Sequence, residues 1–151
     1  MYRHILVAVD DSDTSRKALD EAIALANAHD ATLEIAHAVD ESLIQSFATH
    51  GAALANTRPL EQALIANGRS ILDGAVAHAQ AAGVTPRSRL LTSQDMHAAD
   101  QIAQAVGESG ADLLVVGSHG RRGFRRLLLG SVAENLVRKA AVSMLIVRSP
   151  H

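Results

Sequence analysis

The chemistry in this chain gathers in one run, GSHGRRGFRRLLLGS, residues 117–131. Gly117, Gly120 and Gly130 set a G-x2-G-x9-G spacing, Ser131 follows, and Arg121, Arg122, Arg125 and Arg126 fill the interval. Glycine has no Cβ, so a ligand can come close to the backbone N–H groups. At a helix start those groups have no partners and the helix dipole adds partial positive charge, which together favour an anion. Guanidinium groups match phosphate oxygens in pairs, and Ser131 adds a hydroxyl. The chemistry this points to is holding the phosphates of a nucleotide. Two plainer explanations stay open: strand-to-helix loops carry glycine for turn geometry alone, and arginine runs are often solvated surface. The run is not a Walker A loop, because it contains no lysine; the chain's lysines are Lys17 and Lys139. No G-x-G-x-x-G follows the first apolar run either.

The second polar cluster is Asp10-Asp11-Ser12-Asp13. Asp10 is a candidate for holding a metal ion through water, since Mg²⁺ prefers few protein ligands plus phosphates; capping a helix is a compatible role. Ser12 and Ser15 have no G-x-S-x-G surroundings and read as helix-capping residues rather than nucleophiles. His119 is expected to fill the loop rather than polarise a phosphate. The other histidines, at 4, 29, 37, 50, 78, 97 and 151, show no H-E-x-x-H or similar ligand spacing. His37 is expected to be a hydrogen-bonded structural residue. There is no cysteine, hence no disulfide and no thiolate metal site.

These groups need elements to position them. Ile5 to Val9 is continuously apolar, as in strands buried on both faces of a parallel sheet. Leu19, Ala22, Ile23 and Ala26 share one helix face, which Ser12 or Asp13 can cap. Thr32 to Val39 reads as a second strand, with Leu33, Ile35 and Val39 on one face. Residues 41–57 read as a loop with a short helical piece. Pro59 suits a first helical position, and a helix runs to about Ala82 on Leu72, Ala75, Val76 and Ala79, ended by Gly83. Val84 to Leu91 is expected to be an edge strand, because Pro86 lacks an N–H and Arg87-Ser88-Arg89 is polar. Ala99, Ile102, Ala103 and Val106 mark the next helix, closed by Gly107 to Gly110. Leu113 to Val116 is a fourth strand. Ala133, Leu136, Val137 and Ala140 give the last helix its expected buried face, and Met144 to Val147 the last strand.

The alternation predicts an α/β fold with parallel strands, right-handed crossovers and helices on both faces. In such sheets ligands sit at the carboxyl ends of strands where the strand order reverses. The first and fourth runs are expected to be central, which sets the glycine run beside Asp10. The length of 151 residues suits one domain, 1–151, with 48% apolar residues to build a core. A net charge of −2 and only 2% aromatics argue against a nucleic-acid or anionic-membrane partner. The start, MYRHILVAVDDSD, does not read as a signal peptide. No stretch reaches the length of a membrane span. The expected location is the cytoplasm.

Gly117-Ser-His-Gly120, nine residues, then Gly130-Ser131-Val132-Ala133-Glu134 resembles the nucleotide-binding signature of the universal stress protein family. HILVAVDDSDTSRKAL is similar to that family's first strand and turn, IAHAVDE to its second strand end, and ADLLVVGSHG to its fourth. The resemblance implies an open five-stranded sheet of order 3-2-1-4-5, Rossmann-like and akin to the adenine nucleotide alpha hydrolases. It implies ATP as ligand, with Mg or Mn alongside, and a homodimer through the last strand, Met144 to Val147. Carried over by position, Ala8, Val9 and Asp10 lie beside the nucleotide, and Ala38 meets the adenine through its backbone. Val116, Gly117, Ser118, His119, Gly120 and Arg121 line the ribose and phosphates. Gly130, Ser131, Val132 and Ala133 take the phosphates on the helix start. Asp11 stands where the family often has Gly, and Ser143 where it often has Pro. Three function classes follow: a nucleotide-binding regulatory protein of the stress response, a slow ATPase with no catalytic residue identified, and a nucleotide-free dimeric scaffold.

Overall fold

The computed structural model describes residues 1–40, 57–119 and 129–149. Their elements run β1 (His4–Ala8), α1 (Asp13–His29), β2 (Thr32–Ala38), α2 (Arg58–Ala81), β3 (Arg87–Leu91), α3 (Ala98–Ser109), β4 (Leu113–Gly117), α4 (Ser131–Lys139) and β5 (Ser143–Val147). The five strands form one parallel sheet of order β3-β2-β1-β4-β5. The expected sheet and its strand order are therefore found. The segment read as a loop, 41–56, lies outside the described residues.

The core has two halves, one on each face of the sheet. Ile5, Val7, Leu33, Ile35, Leu113 and Val115 face α1 and α2. Leu6, Ala36, Leu114 and Val116 face α3 and α4. Strands β1 and β4 feed both halves, which is why their sequences are apolar without alternation. The chain builds outward from β1 through β2 to β3, then returns to β4. Because crossovers keep one hand, reversing direction moves the helices to the opposite face. The reversal leaves β1 and β4 side by side with their connections diverging. Helices in such crossovers run back against the strands, so each described helix starts at the carboxyl edge of the sheet.

Several local expectations shift. β2 is buried on both faces rather than one, since α3 covers the side carrying Ala36. β3 begins at Arg87, so Pro86 precedes the strand; Val84 instead closes α2, its N–H donating to the Ala79 carbonyl at 3.0 Å. Pro59 is the second residue of α2, behind Arg58. Gly107 is inside α3, and the stop is Gly110, whose φ of 70° favours glycine. Val137 is 53% exposed, contrary to expectation. Ala133 and Leu136 define the buried line of α4, and Val137, a further 100° round the helix from Leu136, turns off the sheet.

Candidate functional site

At the carboxyl edge, above β1 and β4, lies a cavity of about 660 Å³. β1 and the turn after it contribute Ala8, Val9 and Asp10, and the end of β2 contributes Ala38. β4 and the residues after it contribute Val116, Gly117, Ser118 and His119. The start of α4 contributes Gly130, Ser131, Val132 and Ala133. The structure thus gathers every candidate residue it describes around one space. Gly120 and Arg121, with Arg122, Arg125 and Arg126, lie outside the described residues. Among described residues the wall carries Asp10, Asp40, His37, His97 and His119 but no lysine or arginine.

Local chemistry holds this wall in place. Asp10 Oδ1 accepts from the Ser12 N–H at 2.8 Å, and the Asp10 N–H donates to Ser15 Oγ at 2.8 Å. Asp10 therefore organises the turn ahead of α1, while the cap itself is Ser12, which accepts from the Ser15 N–H. The Thr14 hydroxyl donates to the His119 carbonyl, joining the first turn of α1 to the glycine run. Gly117 makes that approach feasible: a Cβ there would stand 2.8 Å from Thr14 Oγ1 and 3.0 Å from the Thr14 carbonyl carbon. Ser118 is 1% exposed. Its N–H donates to the Val147 carbonyl at 2.8 Å, and its hydroxyl lies 2.9 Å from His119 Nδ1.

α4 opens on the cavity. Its N-cap, Gly130, is extended, with φ −71° and ψ 159°, and makes no side-chain cap. The Gly130 N–H is itself committed, donating to the Ser118 carbonyl at 2.6 Å. Ser131, Val132 and Ala133 are the next three residues, and their N–H groups precede the first possible i to i−4 bond, made by Glu134 to Gly130 at 2.9 Å. Among the described residues these three N–H groups have no acceptor, and donors at the positive end of a helix dipole favour an anion.

Other lining residues were not expected at the site from the sequence. Leu64 and Asn67 come from the first half of α2, and His97, Ala98, Ala99 and Ile102 from the start of α3. The signal for the second group is the rule that helices begin at the carboxyl edge; Leu64 and Asn67 carry no spacing that says which face of a long helix meets the rim. His37 also lines the cavity. Its Nδ1 lies 2.7 Å from the Val9 carbonyl oxygen, the hydrogen-bonded role expected of it. Among the described residues no group of three or more His, Asp or Glu is arranged to hold a metal ion. Nor is any helix among them long and apolar enough to cross a membrane.

An open parallel sheet of order 3-2-1-4-5 with a cavity at its reversal point defines a Rossmann-like α/β protein. The chain belongs to the universal stress protein family: the family model matches residues 1–148. The Bacillus subtilis universal stress protein YxiE is 31% identical over 151 residues, covering 98% of this chain and 100% of that protein. A universal stress protein family member from Burkholderia pseudomallei superposes with a TM-score of 0.77 at 33% identity, over 98% of this chain and 97% of that one. A universal stress protein solved in complex with cAMP superposes with a TM-score of 0.69 at 32% identity, over 99% and 98%.

Proposed function

We propose that this protein binds an adenine nucleotide, ATP in the first instance, in the cavity between β1, β4 and the start of α4. The observation that carries the reading is the uncapped start of α4 at the cavity wall, behind a glycine committed to Ser118. The N–H groups of Ser131, Val132 and Ala133 receive phosphate oxygens, and the Ser131 hydroxyl adds a donor. The ends of β1 and β2, with Ala8, Val9 and Ala38, offer an apolar seat for ribose and base. The cavity volume is in the range of small-molecule sites, roughly 300–1,000 Å³. The relative solved with cAMP supports an adenine nucleotide as the ligand class.

A divalent ion, Mg or Mn, would accompany the phosphates. Asp10 fits a water-mediated role: Oδ1 is engaged by the Ser12 N–H, and Oδ2 has no hydrogen bond to a described residue. The ion would offset repulsion between this carboxylate and the phosphates. The biological role in this reading is regulatory: nucleotide occupancy changes dimer contacts and so the choice of partner. β5 is an edge strand, and a homodimer through Met144 to Val147 belongs to the same reading. The whole chain acts as one domain in the cytoplasm.

Calorimetric titration of the purified protein with ATP, ADP and AMP, with Mg²⁺ present, tests the reading. One saturable site is expected, weakening as phosphates are removed. No heat of binding at millimolar nucleotide defeats it.

A further inference from the structure

We propose a second binding site, at the β3 edge of the sheet, for a short chain with an ammonium group at one end and a neutral O–H or N–H donor at the other: a small amino alcohol. The site stands apart from the nucleotide reading. A cavity of about 210 Å³ lies between the end of β3 and α3, and none of its wall residues lines the nucleotide cavity. α3 gives that wall Gln101, Gln104, Ala105 and Glu108, spaced i, i+3, i+4 and i+7 along one stripe of the helix.

Gln101 is the buried polar side chain of the wall, 5% exposed. Its amide is oriented by the chain, because Nε2 donates to the Met96 carbonyl oxygen at 3.0 Å. A carbonyl only accepts, so the amide cannot be flipped, and its other arm is the oxygen. Oε1 is closed to bulk water and has no hydrogen-bond partner among the described residues. Buried acceptors are as a rule paired, and leaving one unpaired is costly. A ligand donor would pair it. The cavity is several times the roughly 30 Å³ share of one water, so it has room for more than a lone water. Met96, in the same wall, is unbranched and adaptable, so the wall can shift to admit the donor.

Glu108 sets the charge of the other end. Its Oε2 lies 3.0 Å from Arg89 Nη1, and its Oε1 accepts from Gln104 Nε2 at 2.7 Å. Arg89 is shared: its Nε stands 2.8 Å from the buried Glu34. One guanidinium thus serves two carboxylates, and each oxygen of Glu108 keeps a second lone pair. Glu108 is also in the last turn of α3, where the helix dipole favours a cation, whereas Gln101 is near the start, where it does not. The charged end of the ligand therefore belongs at Glu108 and the neutral donor at Gln101. The two residues are seven apart, about 10 Å along the helix axis. A chain of four methylene groups with a hydrogen bond at each end spans about that distance, and Leu91 and Ala105 offer it apolar wall. An anionic or purely accepting ligand would leave Gln101 Oε1 unpaired.

The test titrates the full chain with 4-aminobutan-1-ol and follows its ¹H–¹⁵N NMR spectrum. The Gln101 side-chain amide and the Glu108 main-chain amide should move saturably, with a Kd on the order of millimolar for so small a ligand. Butan-1-ol, which lacks the ammonium, and n-butylammonium, which lacks the hydroxyl, should each bind about 3- to 10-fold more weakly. In Gln101→Leu the amino alcohol should lose its advantage over n-butylammonium and keep that over butan-1-ol. In Glu108→Gln the reverse should hold. Should Gln101→Leu fail to fold, the three native titrations and the exposed Glu108→Gln still decide. No saturable movement at either residue far above millimolar ligand overturns the proposal and leaves the cavity to water. Equal binding of the three compounds, or advantages that neither substitution alters, overturns it as well. Binding of nucleotide, or its failure, bears on none of these outcomes.

Discussion

The hydroxyl of Thr14, in the first turn of α1, donates to the main-chain carbonyl of His119, two residues beyond the end of β4. Two stretches more than a hundred residues apart are thereby fastened together at the rim of the cavity. Ser12 Oγ approaches the same carbonyl at 3.4 Å. The contact fixes where the glycine run leaves the sheet, and so where it can return to start α4.

Thr14→Val keeps the shape of the side chain and deletes the donor. Thr14 is 8% exposed, so the loss should be felt as one buried hydrogen bond, about 0.5–1.5 kcal/mol. Urea unfolding checks the stability. The affinity for ATP should fall as well, because the carbonyl of His119 is held less firmly. A variant as stable as the native protein, with unchanged affinity, would show the contact to be incidental.

Gly117→Ala should destabilise the fold by about 1–3 kcal/mol, the usual cost of overpacking. The new Cβ would meet the Thr14 carbonyl carbon at 3.0 Å and the Ser15 nitrogen at 3.1 Å, backbone atoms that no rotamer change can move. Removing the neighbouring hydroxyl should therefore not rescue it: the double variant Gly117→Ala with Thr14→Ala should stay destabilised relative to Thr14→Ala alone. Full rescue would mean that the side chain alone blocks the Cβ.

Much of this arrangement was legible in the sequence. Uninterrupted apolar runs at Ile5 and Leu113 marked the two central strands, and Arg87-Ser88-Arg89 marked an edge. The placing of β1 beside β4 follows from their continuous apolar runs, and it brings Asp10 and Gly117 to one rim. What could not be read depends on which way a helix faces. Val137 has the spacing of a buried residue but lies off the sheet. Leu64 and Asn67 reach the cavity because of how α2 is rotated over β2. The closeness of Gly68 to His37 is likewise a tertiary contact: in the sequence that glycine is only a blemish in a good helix.

Ser131→Pro separates the backbone donors from the helix they begin. Proline is well tolerated at the first helical position. The residue before it, Gly130, has φ −71° and ψ 159°, the extended conformation that proline demands of its predecessor. The helix should form normally, with a thermal midpoint close to that of the native protein. ATP affinity should drop about tenfold or more, because one N–H and one hydroxyl aimed at an anion are lost, each charge-assisted bond being worth roughly 1.5–3 kcal/mol. Native affinity in a folded variant would remove the phosphates from this helix start.

Asp112 gives a pH dependence away from the cavity. Its carboxylate accepts from the Arg3 N–H at 2.9 Å and the His4 N–H at 3.1 Å, bracing the entry to β1. The Arg3 N–H bond is the main reason that its pKa lies below the usual aspartate value, with the His4 N–H adding to it. A lowered folded-state pKa contributes stability that is complete above the unfolded-state value and is lost as pH falls through the folded-state one. Asp112→Asn should therefore be less stable than the native protein at neutral pH. The gap should narrow on acidification below about pH 4, near the unperturbed aspartate pKa. Denaturant curves at a series of pH values check it; a gap constant down to pH 2 would contradict it.

The most direct test of the central claim is amide NMR of the native protein titrated with ATP and Mg²⁺. The claim places phosphates on the start of α4, so the amide resonances of Ser131, Val132 and Ala133 should shift saturably. Adenosine, which has no phosphate, should leave those three in place while still moving residues at the end of β2. ATP that binds without disturbing the three amides, or that moves them no more than adenosine does, would contradict the account.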